Sequence, residues 1–406
     1  MNYNSLDRFF KRYITLILVS VVLLSCETDE PDREVEVSKL VDYELISTID
    51  ADQIRLVLRF LDPTINTAIA VYDVSVYRVN YLTDFKGDEA TASGLVCLPA
   101  DAPAVDFPTL LGFHASISSQ AESPSLFASS FGTGLEYLAS LGYISVIPDY
   151  LGFGATADIP HPYLVRESVS KVSTDMVLAA EEMMEELDQA YNNELYLAGY
   201  SQGAYNAVAT LSDIENNGIL SEWDVKGTAA GGGTYDLELL ASETLKADEY
   251  DSPQVLAFLI WSYSNYYNIT TDYSEFFQSP YAERIPELFD GTQTLDQIGS
   301  QLTKSLEDLL VPSFLSALRQ GDANQLQQAI IDNSISPWAI SSPINFLHTP
   351  QDEVIGIINS QTYLEAVEAA GASNVTFTTL SAPSHSAAAI PMLVSSILWL
   401  QSLRAS

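Results

Sequence analysis

From about residue 108 to the C-terminus, short apolar segments of strand length alternate with longer segments of helical periodicity. Parallel strands need a crossover connection between them, and that connection is usually a helix. The alternation therefore predicts the α/β fold class, with a mostly parallel central sheet flanked by helices. The predicted strands are 109–114, 143–148, 194–198, 225–230, 344–348 and 375–380. The predicted helices are 124–141, 167–187, 203–216, 360–371 and 386–402.

Upstream of this series, a helix is predicted over 45–61, and two β-rich segments follow at 71–82 and 92–98. Apolar and polar residues alternate from Val74 to Val79, as they do in an antiparallel strand with one solvated face. We therefore expect an N-terminal β-hairpin ahead of the parallel strands.

The alternation is interrupted once, over 238–336, where helical segments occur without a clear strand. Open α/β sheets bind ligands at the carboxyl ends of their strands, so we expect this insertion to cover that edge as a lid or cap. The remaining core is then expected to comprise 41–237 and 337–406. The aromatic residues of the insertion either line a pocket for an acyl chain or aromatic ester, or form the cap's own core. They are Phe258, Trp261, Tyr263, Tyr266, Tyr267, Tyr273, Phe276, Phe277 and Tyr281.

The first 25 residues have the features of a signal peptide. Basic residues at 8, 11 and 12 precede an apolar run at 13–24, which is too short for an ordinary membrane-spanning helix. The run ends in Leu23-Leu24-Ser25-Cys26, which resembles the lipobox of bacterial lipoproteins. The alternative is an ordinary secretory signal with an incidental cysteine.

The lipobox resemblance implies that Cys26 becomes the lipidated first residue of the mature chain, carrying an acyl group such as palmitate. The acidic segment 26–40 is then expected to be a flexible tether, and it resembles the export signal of surface lipoproteins in some Gram-negative groups. The expected location is the outer membrane or cell surface of a Gram-negative bacterium, with the periplasmic and outer faces both left open. Membrane contact is expected only through this N-terminal lipid anchor. Cys97, the other cysteine, then has no partner for an internal disulfide.

The formal net charge of the chain is −37 at pH 7. A surface this acidic repels phosphate backbones and anionic lipid headgroups over a Debye length. Nucleic acid is therefore excluded as an expected partner, because its binding depends on Lys and Arg side chains that neutralise phosphates.

The segment Gly199-Tyr200-Ser201-Gln202-Gly203 has the pattern G-x-S-x-G and lies between a predicted strand and a predicted helix. A sharp strand-to-helix turn of this kind projects a serine hydroxyl above the sheet. The flanking glycines keep Cβ atoms away from a place where backbone segments approach closely. The sequence therefore predicts Ser201 as a nucleophile, with the Gln202 N–H group as a donor to a developing oxyanion.

The base and the acid are predicted from their order along the chain. Enzymes that carry a serine nucleophile on a G-x-S-x-G turn have their triad residues in the order serine, acid, histidine. His385 follows the last predicted strand and opens the last helix, where its imidazole is expected to exchange a proton with Ser201. Asp352, in the loop after the preceding strand, is predicted to orient that imidazole. Glu353 is the alternative acid, because a loop that differs by one residue would exchange the two carboxylates.

The loop after the first predicted parallel strand contains His114-Ala115-Ser116. This loop is expected to supply the second oxyanion N–H group, from Ser116 or Ala115, while His114 organises the loop rather than acting as a base. Asp149 and His161 are interpreted as hydrogen-bonded supports of neighbouring loops, with a substrate-side role as the alternative.

Taken together, the chain from about residue 40 to 405 resembles the α/β-hydrolase superfamily, and within it the secretory lipases that carry a helical lid. The matching segments are His114-Ala115-Ser116, 148–154, His161-Pro162-Tyr163, 199–203, Asp352-Glu353-Val354 and Ser384-His385-Ser386. Ala115 and Thr349 stand where this family usually has glycine, so both of these loops are expected to differ in shape. The resemblance implies ester hydrolysis through an acyl-enzyme, with no metal or cofactor.

Three functions stay open on the sequence. The leading hypothesis is a lipase or carboxylesterase that acts on small-molecule or lipid esters. A serine peptidase on the same fold is the second, although no docking motif for a peptide amine is evident in the sequence. The third is a non-catalytic surface-binding lipoprotein, which would have no need of Ser201, Asp352 and His385 together.

Overall fold

Nine strands form one sheet in the order β1-β2-β3-β5-β4-β6-β7-β8-β9. The computed structural model describes residues 38–103, 105–126, 133–322 and 324–404. The signal peptide and the lipidation site predicted at Cys26 lie outside these residues. The strands are β1 Leu40–Ile49, β2 Asp73–Phe85, β3 Asp88–Ala100, β4 Phe107–Phe113, β5 Ile144–Pro148, β6 Tyr191–Tyr200, β7 Asp224–Gly231, β8 Ile344–His348 and β9 Val375–Thr379.

Strands β4 to β9 all run parallel, and β1 to β3 add an antiparallel edge beside β5. The predicted hairpin corresponds to β2 and β3. The strand β1 was not predicted, and the helix expected over 45–61 begins only at Ala51. Residues 45–49 instead extend β1 along β2, because pairing at the sheet edge outweighs a local helical pattern.

The first residue of β1 lies at the same level of the sheet as the carboxyl ends of the parallel strands. Leu40 pairs with Tyr81, which pairs with Ala92, two residues beyond the Gly94–Pro148 pair at the end of β5. The carboxylate of Glu182 accepts hydrogen bonds from the backbone N–H groups of Lys39 and Leu40. The described residues therefore begin within the predicted tether, at the edge of the sheet to which the carboxyl ends of the parallel strands point.

Twelve α-helices connect the strands within the described residues. They are α1 Ala51–Leu61, α2 Arg166–Glu186, α3 Gln202–Asn217, α4 Leu237–Lys246, α5 Pro253–Tyr266, α6 Tyr281–Leu288, α7 Leu295–Gly299, α8 Leu306–Leu309, α9 Pro312–Gln320, α10 Gln325–Asp332, α11 Ile358–Ala369 and α12 His385–Arg404. The single helix predicted over 124–141 is wrong, since the described residues there form the short 3₁₀ helices Pro124–Leu126 and Leu135–Leu141. The glycine at 134, with φ of 83°, separates the second of these from what precedes it.

Two hydrophobic layers cover the two faces of the sheet, and β6 shows how one strand serves both. Leu195 and Leu197 pack with α2, α3 and α11, whereas Tyr196 and Ala198 pack with α1 and α12. This period of two is the geometry of a strand, and burial on both faces explains why the parallel strands read as continuous apolar runs. The sheet is thus a three-layer arrangement that fixes the carboxyl ends of its strands.

Helices α4 to α10 all lie between β7 and β8, in the segment where an insertion was predicted. Within the described part of that segment the only β pairing consists of two isolated bridges, Glu249–Ser305 and Phe277–Leu310. The predicted role of the segment as a lid stays a prediction.

One helix of the described residues, α12, is long and apolar enough to cross a membrane. Its residues Met392, Ile397 and Leu400 are buried in the layer that covers one face of the sheet. This is the behaviour of a core-facing helix, in which high hydropathy reflects burial.

Candidate active site

Ser201 lies at a sharp turn between the end of β6 and the start of α3. Its backbone has φ 58° and ψ −119°, a conformation that side-chain-bearing residues rarely adopt and that costs about 1–3 kcal/mol. The Ser201 N–H group donates to the carbonyl oxygen of Gly231 on β7, at 2.8 Å, and this contact holds the turn against the sheet. The strained residue, Ser201, is therefore held in place by β6 on one side of the turn and by α3 on the other.

The two glycines of the turn are required by close backbone approach. A Cβ atom on Gly199 would lie 2.1 Å from the carbonyl oxygen of Gly203, and one on Gly203 would lie 2.2 Å from that of Phe113. No real Cβ atom tolerates such distances. The turn consequently packs directly on the end of β4, and that contact brings the 114–116 loop beside Gln202.

The structure brings Ser201, His385 and Asp352 together at the carboxyl ends of β6, β9 and β8. The Ser201 Oγ lies 2.9 Å from His385 Nε2, and His385 Nδ1 lies 2.7 Å from Asp352 Oδ2. Both distances are those of hydrogen bonds, and they run through opposite nitrogens of one ring. Because Asp352 accepts from Nδ1–H, Nε2 is left free to accept the serine proton.

Asp352 has no exposed side-chain surface. Burial on its own would raise the pKa of this carboxyl. Hydrogen bonds from His348, His385 and the backbone N–H group of Ile355 outweigh burial and hold the pKa of Asp352 well below its ordinary value. The contacts of Asp352 therefore favour its ionised form.

Glu353, the alternative acid, occupies a different position. Its Oε2 accepts a 2.9 Å hydrogen bond from the backbone N–H group of His385, the first residue of α12. The contact is with the main chain, and the imidazole ring faces Asp352 instead. Tyr200 also holds His385, because its ring lies tilted against the imidazole with centroids 5.1 Å apart and its hydroxyl donates to the His385 carbonyl.

The Gln202 N–H group begins α3 and has no hydrogen-bond acceptor among the described residues. An N–H group at the start of a helix is suited to an anionic oxygen. On the other side of the turn, Ser116 Oγ lies 3.1 Å from the hydroxyl of Tyr163, and the carbonyl of Ala115 lies 2.7 Å from His114 Nδ1. The backbone N–H groups of Ala115 and Ser116 also have no acceptor among those residues, so each is available as a second donor.

His114 is buried against Tyr150, with ring centroids 4.1 Å apart. Burial lowers its pKa to about 4, although hydrogen bonds to the carbonyls of Ala115 and Asp149 act in the opposite direction. The ring is therefore neutral and far from the role of a base for Ser201. The carboxylate of Asp149 is buried as well, and it accepts from Ser93 and Ser125. Both residues act as internal supports of their loops.

No pattern in the sequence predicts that His161 contacts Gln202, the residue that follows Ser201. His161 Nε2 accepts a 3.0 Å hydrogen bond from the side-chain amide of Gln202, while Nδ1 donates to the Leu151 carbonyl at 2.6 Å. Burial lowers the pKa of His161 to about 3, so the ring remains a neutral acceptor. This contact fixes the Gln202 side chain away from the serine hydroxyl. His161 and Gln202 are far apart in the chain, and no local pattern connects them.

The inserted segment contacts the loops that surround the site. Tyr250 donates its hydroxyl proton to the carbonyl of Val354, in the loop that carries Asp352. Ser262, on α5, donates to the carbonyl of His161 and accepts from the N–H group of Tyr163. Most aromatic residues of the insertion are buried in the core. Phe258 and Trp261 also line a small groove beside His161, of about 170 Å³.

Residues 38–404, apart from the gaps at 104, 127–132 and 323, contain no cluster of three or more His, Cys, Asp or Glu side chains that could hold a metal ion.

No protein-family model and no curated protein sequence matches this chain significantly. Solved structures do match it over most of its length. An assumed hydrolase from Legionella pneumophila is 24% identical, with a TM-score of 0.81, and the match covers 90% of this chain and 98% of that one. The rice cell wall degrading esterase LipA from Xanthomonas oryzae is 24% identical, with a TM-score of 0.78, over 91% and 97%.

Candida antarctica lipase A in its closed state is a more distant match, at 14% identity and a TM-score of 0.66, over 90% of this chain and 81% of that one. At these identities the likeness shows the fold alone. The predicted fold class is confirmed: the chain has the α/β-hydrolase fold, with a mostly parallel sheet, flanking helices and an antiparallel N-terminal edge.

Proposed function

We propose that this chain is a serine hydrolase that cleaves carboxylic esters, of the lipase or carboxylesterase class. The observation that carries the proposal is the continuous pair of hydrogen bonds from Asp352 through His385 to Ser201, at 2.7 and 2.9 Å. The esterase and the lipase among the structural neighbours support the ester as the bond that is cleaved. The backbone strain at Ser201 supports the same conclusion, since such strain persists where function requires it.

In the first half of the reaction, His385 Nε2 takes the proton of the Ser201 hydroxyl while its oxygen attacks the ester carbonyl carbon. The carbonyl oxygen becomes an oxyanion, which the N–H group of Gln202 and that of Ala115 or Ser116 stabilise. The ionised Asp352 stabilises the imidazolium that forms. His385 then gives its proton to the leaving alcohol, and an acyl-enzyme on Ser201 remains.

In the second half, His385 removes a proton from water, and the resulting hydroxide attacks the acyl-enzyme. The second tetrahedral intermediate breaks down when His385 protonates the Ser201 oxygen, which releases the carboxylic acid and restores the starting state. Every proton in the cycle passes through Nε2 of one imidazole. No metal or cofactor is needed for these steps.

The inserted helices α4 to α10 act as a lid over this site in the proposal. They reach the Asp352 loop through Tyr250 and the 161–163 segment through Ser262, so a movement of the insertion would be felt at the site. The groove that Phe258 and Trp261 form with His161 presents aromatic rings, beside polar side chains such as Gln120 and Asp290, to a small-molecule or lipid ester.

We further propose that Cys26 is lipidated, so that the enzyme is held at the outer membrane or cell surface by its N-terminus. The support is the sequence alone: the basic segment, the short apolar run and the Leu23-Leu24-Ser25-Cys26 pattern. Metabolic labelling with a palmitate analogue in the source bacterium, compared with Cys26→Ser, tests it. Equal labelling of both proteins would refute the anchor.

The hydrolase proposal is tested with a fluorophosphonate probe and p-nitrophenyl esters of increasing chain length. Wild-type protein should be labelled and should hydrolyse the esters, whereas Ser201→Ala should do neither. Equal labelling of the two proteins would refute Ser201 as the nucleophile. Labelling without ester hydrolysis, together with cleavage of peptide substrates, would replace the esterase with a peptidase.

A further inference from the structure

Asp352 lies between two imidazole rings, and only one of them faces Ser201. His385 Nδ1 approaches Oδ2 to 2.7 Å, and His348 Nε2 approaches the same oxygen to 3.2 Å. The other oxygen, Oδ1, accepts from the backbone N–H groups of Val354 and Ile355. Neither Asp352 nor His348 has exposed side-chain surface, so water does not compete for these contacts.

The partners of His348 identify the nitrogen that donates to Asp352. Nε2 lies 2.9 Å from the carbonyl oxygen of Ile355, which can only accept, so Nε2 carries a proton. Nδ1 lies 2.7 Å from the hydroxyl of Ser360 on α11, which can donate to it. The Nε2–H group is therefore shared between the carbonyl of Ile355 and the carboxylate of Asp352.

His348 is also rigidly held. It is the last residue of β8, and its carbonyl accepts a 2.8 Å hydrogen bond from the N–H group of Leu380 at the end of β9. The next residue, Thr349, donates its hydroxyl proton to the carbonyl of Ala382, in the loop that leads to His385. The strand end thus joins the loop of the acid to the loop of the base.

We propose that His348 is a positioning residue for the reaction: its Nε2–H group holds Oδ2 of Asp352 in the place where that oxygen accepts the hydrogen bond from His385. This inference rests on the proposed function for its effect on turnover. A second donor fixes the orientation of the buried carboxylate, and the hydrogen bond to that carboxylate then fixes the orientation of the His385 ring. His348 cannot take the serine proton, because its Nε2 is already protonated and its Nδ1 is occupied by Ser360.

The effect of losing this donor has a definite sign. Without His348 the carboxylate of Asp352 becomes a stronger acceptor for His385, which favours the imidazolium. The acidic limb of the kcat/KM profile should therefore move to higher pH. The other charged or titratable groups that face His385 are Glu353, at its backbone N–H, and Tyr200, at its ring. Tyr250 faces the acid loop through Val354, and these three groups are unchanged in the variants below.

Two amide substitutions at His348 distinguish the effect of the N–H donor from the effect of the volume of the ring. In His348→Gln the amide nitrogen takes the place of Nε2, and in His348→Asn it takes the place of Nδ1. His348→Leu removes both nitrogens, and Tyr363→Phe on the same helix as Ser360 is the control, because the Tyr363 hydroxyl has no partner among the described residues. All are assayed by kcat, KM, pH profile and thermal unfolding.

We expect His348→Gln to keep kcat within about threefold, and His348→Asn and His348→Leu to lose about 10- to 100-fold in kcat at unchanged KM. The acidic limb should move only in the latter two. Equal loss in the Gln and Asn variants would overturn the proposal, as would a folded Leu variant with wild-type kcat and pH profile. If the Leu variant fails to fold, the Gln–Asn comparison decides.

A second measurement does not depend on turnover. In a Ser201→Ala background, the downfield proton resonance of His385 Nδ1–H reports its hydrogen bond to Asp352. This resonance should shift with His348→Asn and stay with His348→Gln. An unchanged resonance in both would overturn the positioning role, whereas absent ester hydrolysis in the wild type, with the expected shifts, would refute only the proposed function.

Discussion

The carboxylate of Glu353 binds the main chain of His385, at 2.9 Å, while the adjacent carboxylate of Asp352 binds its ring. Two neighbouring acids thus hold one residue by different atoms. Glu353 accepts a hydrogen bond from the first N–H group of α12, and its negative charge stabilises the N-terminus of that helix. This arrangement assigns the two carboxylates separate roles.

The separate roles can be measured in matched amide variants. Asp352→Asn should lower kcat by about 10³- to 10⁴-fold, because the amide can present its N–H group to Nδ1 and favour the wrong tautomer. Glu353→Gln should cost less than about tenfold and lower the free energy of unfolding by about 1 kcal/mol. Steady-state kinetics and urea unfolding check both values. A larger kinetic loss in Glu353→Gln than in Asp352→Asn would make Glu353 the acid.

The buried neutral rings of His114 and His161 make stability depend on pH. Their pKa values are lowered by burial to about 4 and about 3, below the value of about 6.5 in an unfolded chain. Between those limits the unfolded chain binds more protons than the folded one, so the free energy of unfolding falls as the pH falls from 6.5 towards 4. Each ring adds a slope of up to about 1.4 kcal/mol per pH unit.

His161→Gln tests this dependence, since glutamine retains hydrogen-bonding groups and does not titrate. Urea unfolding at pH 7, 6, 5 and 4 should show a shallower decline for the variant, by about 1 kcal/mol per pH unit. Parallel declines for variant and wild type would show that His161 does not contribute.

The glycine at the start of α3 should tolerate no side chain. Gly203→Ala places a Cβ atom 2.2 Å from the Phe113 carbonyl oxygen, so strand end and turn must separate. We expect a loss of about 1–3 kcal/mol in the free energy of unfolding and a large loss of fluorophosphonate labelling. Gly356→Ala is the control, because its Cβ would meet nothing nearer than 3.6 Å and φ is not positive there. A wild-type labelling rate in Gly203→Ala would contradict this account.

Ser262 is predicted to couple the insertion to the site. Its hydroxyl is buried and makes two hydrogen bonds, to His161 and Tyr163, so Ser262→Ala leaves a donor and an acceptor unpaired. The expected cost is about 2–3 kcal/mol of stability, with faster hydrogen exchange in α5. Ser242→Ala removes an exposed hydroxyl on α4. It should change the free energy of unfolding by less than about 0.5 kcal/mol and leave hydrogen exchange in α5 unchanged. Identical exchange in the two variants would mean that Ser262 does not hold the insertion.

The parallel part of the fold could be predicted because each of its elements has a local signal. Buried strands such as β4 and β5 are predominantly apolar, and the G-x-S-x-G segment marks its own turn. The strand β1 had no such signal, since its residues are half exposed and only pairing with β2 determines their conformation. The helix predicted over 124–141 failed for a related reason, because apolar content there reflects burial of short 3₁₀ turns.

For the site, chain order alone placed Ser201, Asp352 and His385 near one another, and the geometry agrees with that proximity, while their catalytic roles stay predictions. The second layer was out of reach. His348 lies four residues before Asp352, and nothing in that spacing says that its ring turns inward to the carboxylate. Such contacts depend on the direction in which each side chain points, and no pattern in the sequence predicts that direction.

The antiparallel edge of the sheet has a consequence for how the molecule can be attached. Because Leu40 begins β1 at the level of the carboxyl ends, the chain enters the domain on the same rim as Ser201, about five strand spacings or 24 Å away. A linker from position 26 to position 38 spans at most about 40 Å. The lipid anchor proposed at Cys26 would therefore keep a bilayer close to the rim of the sheet that carries Ser201.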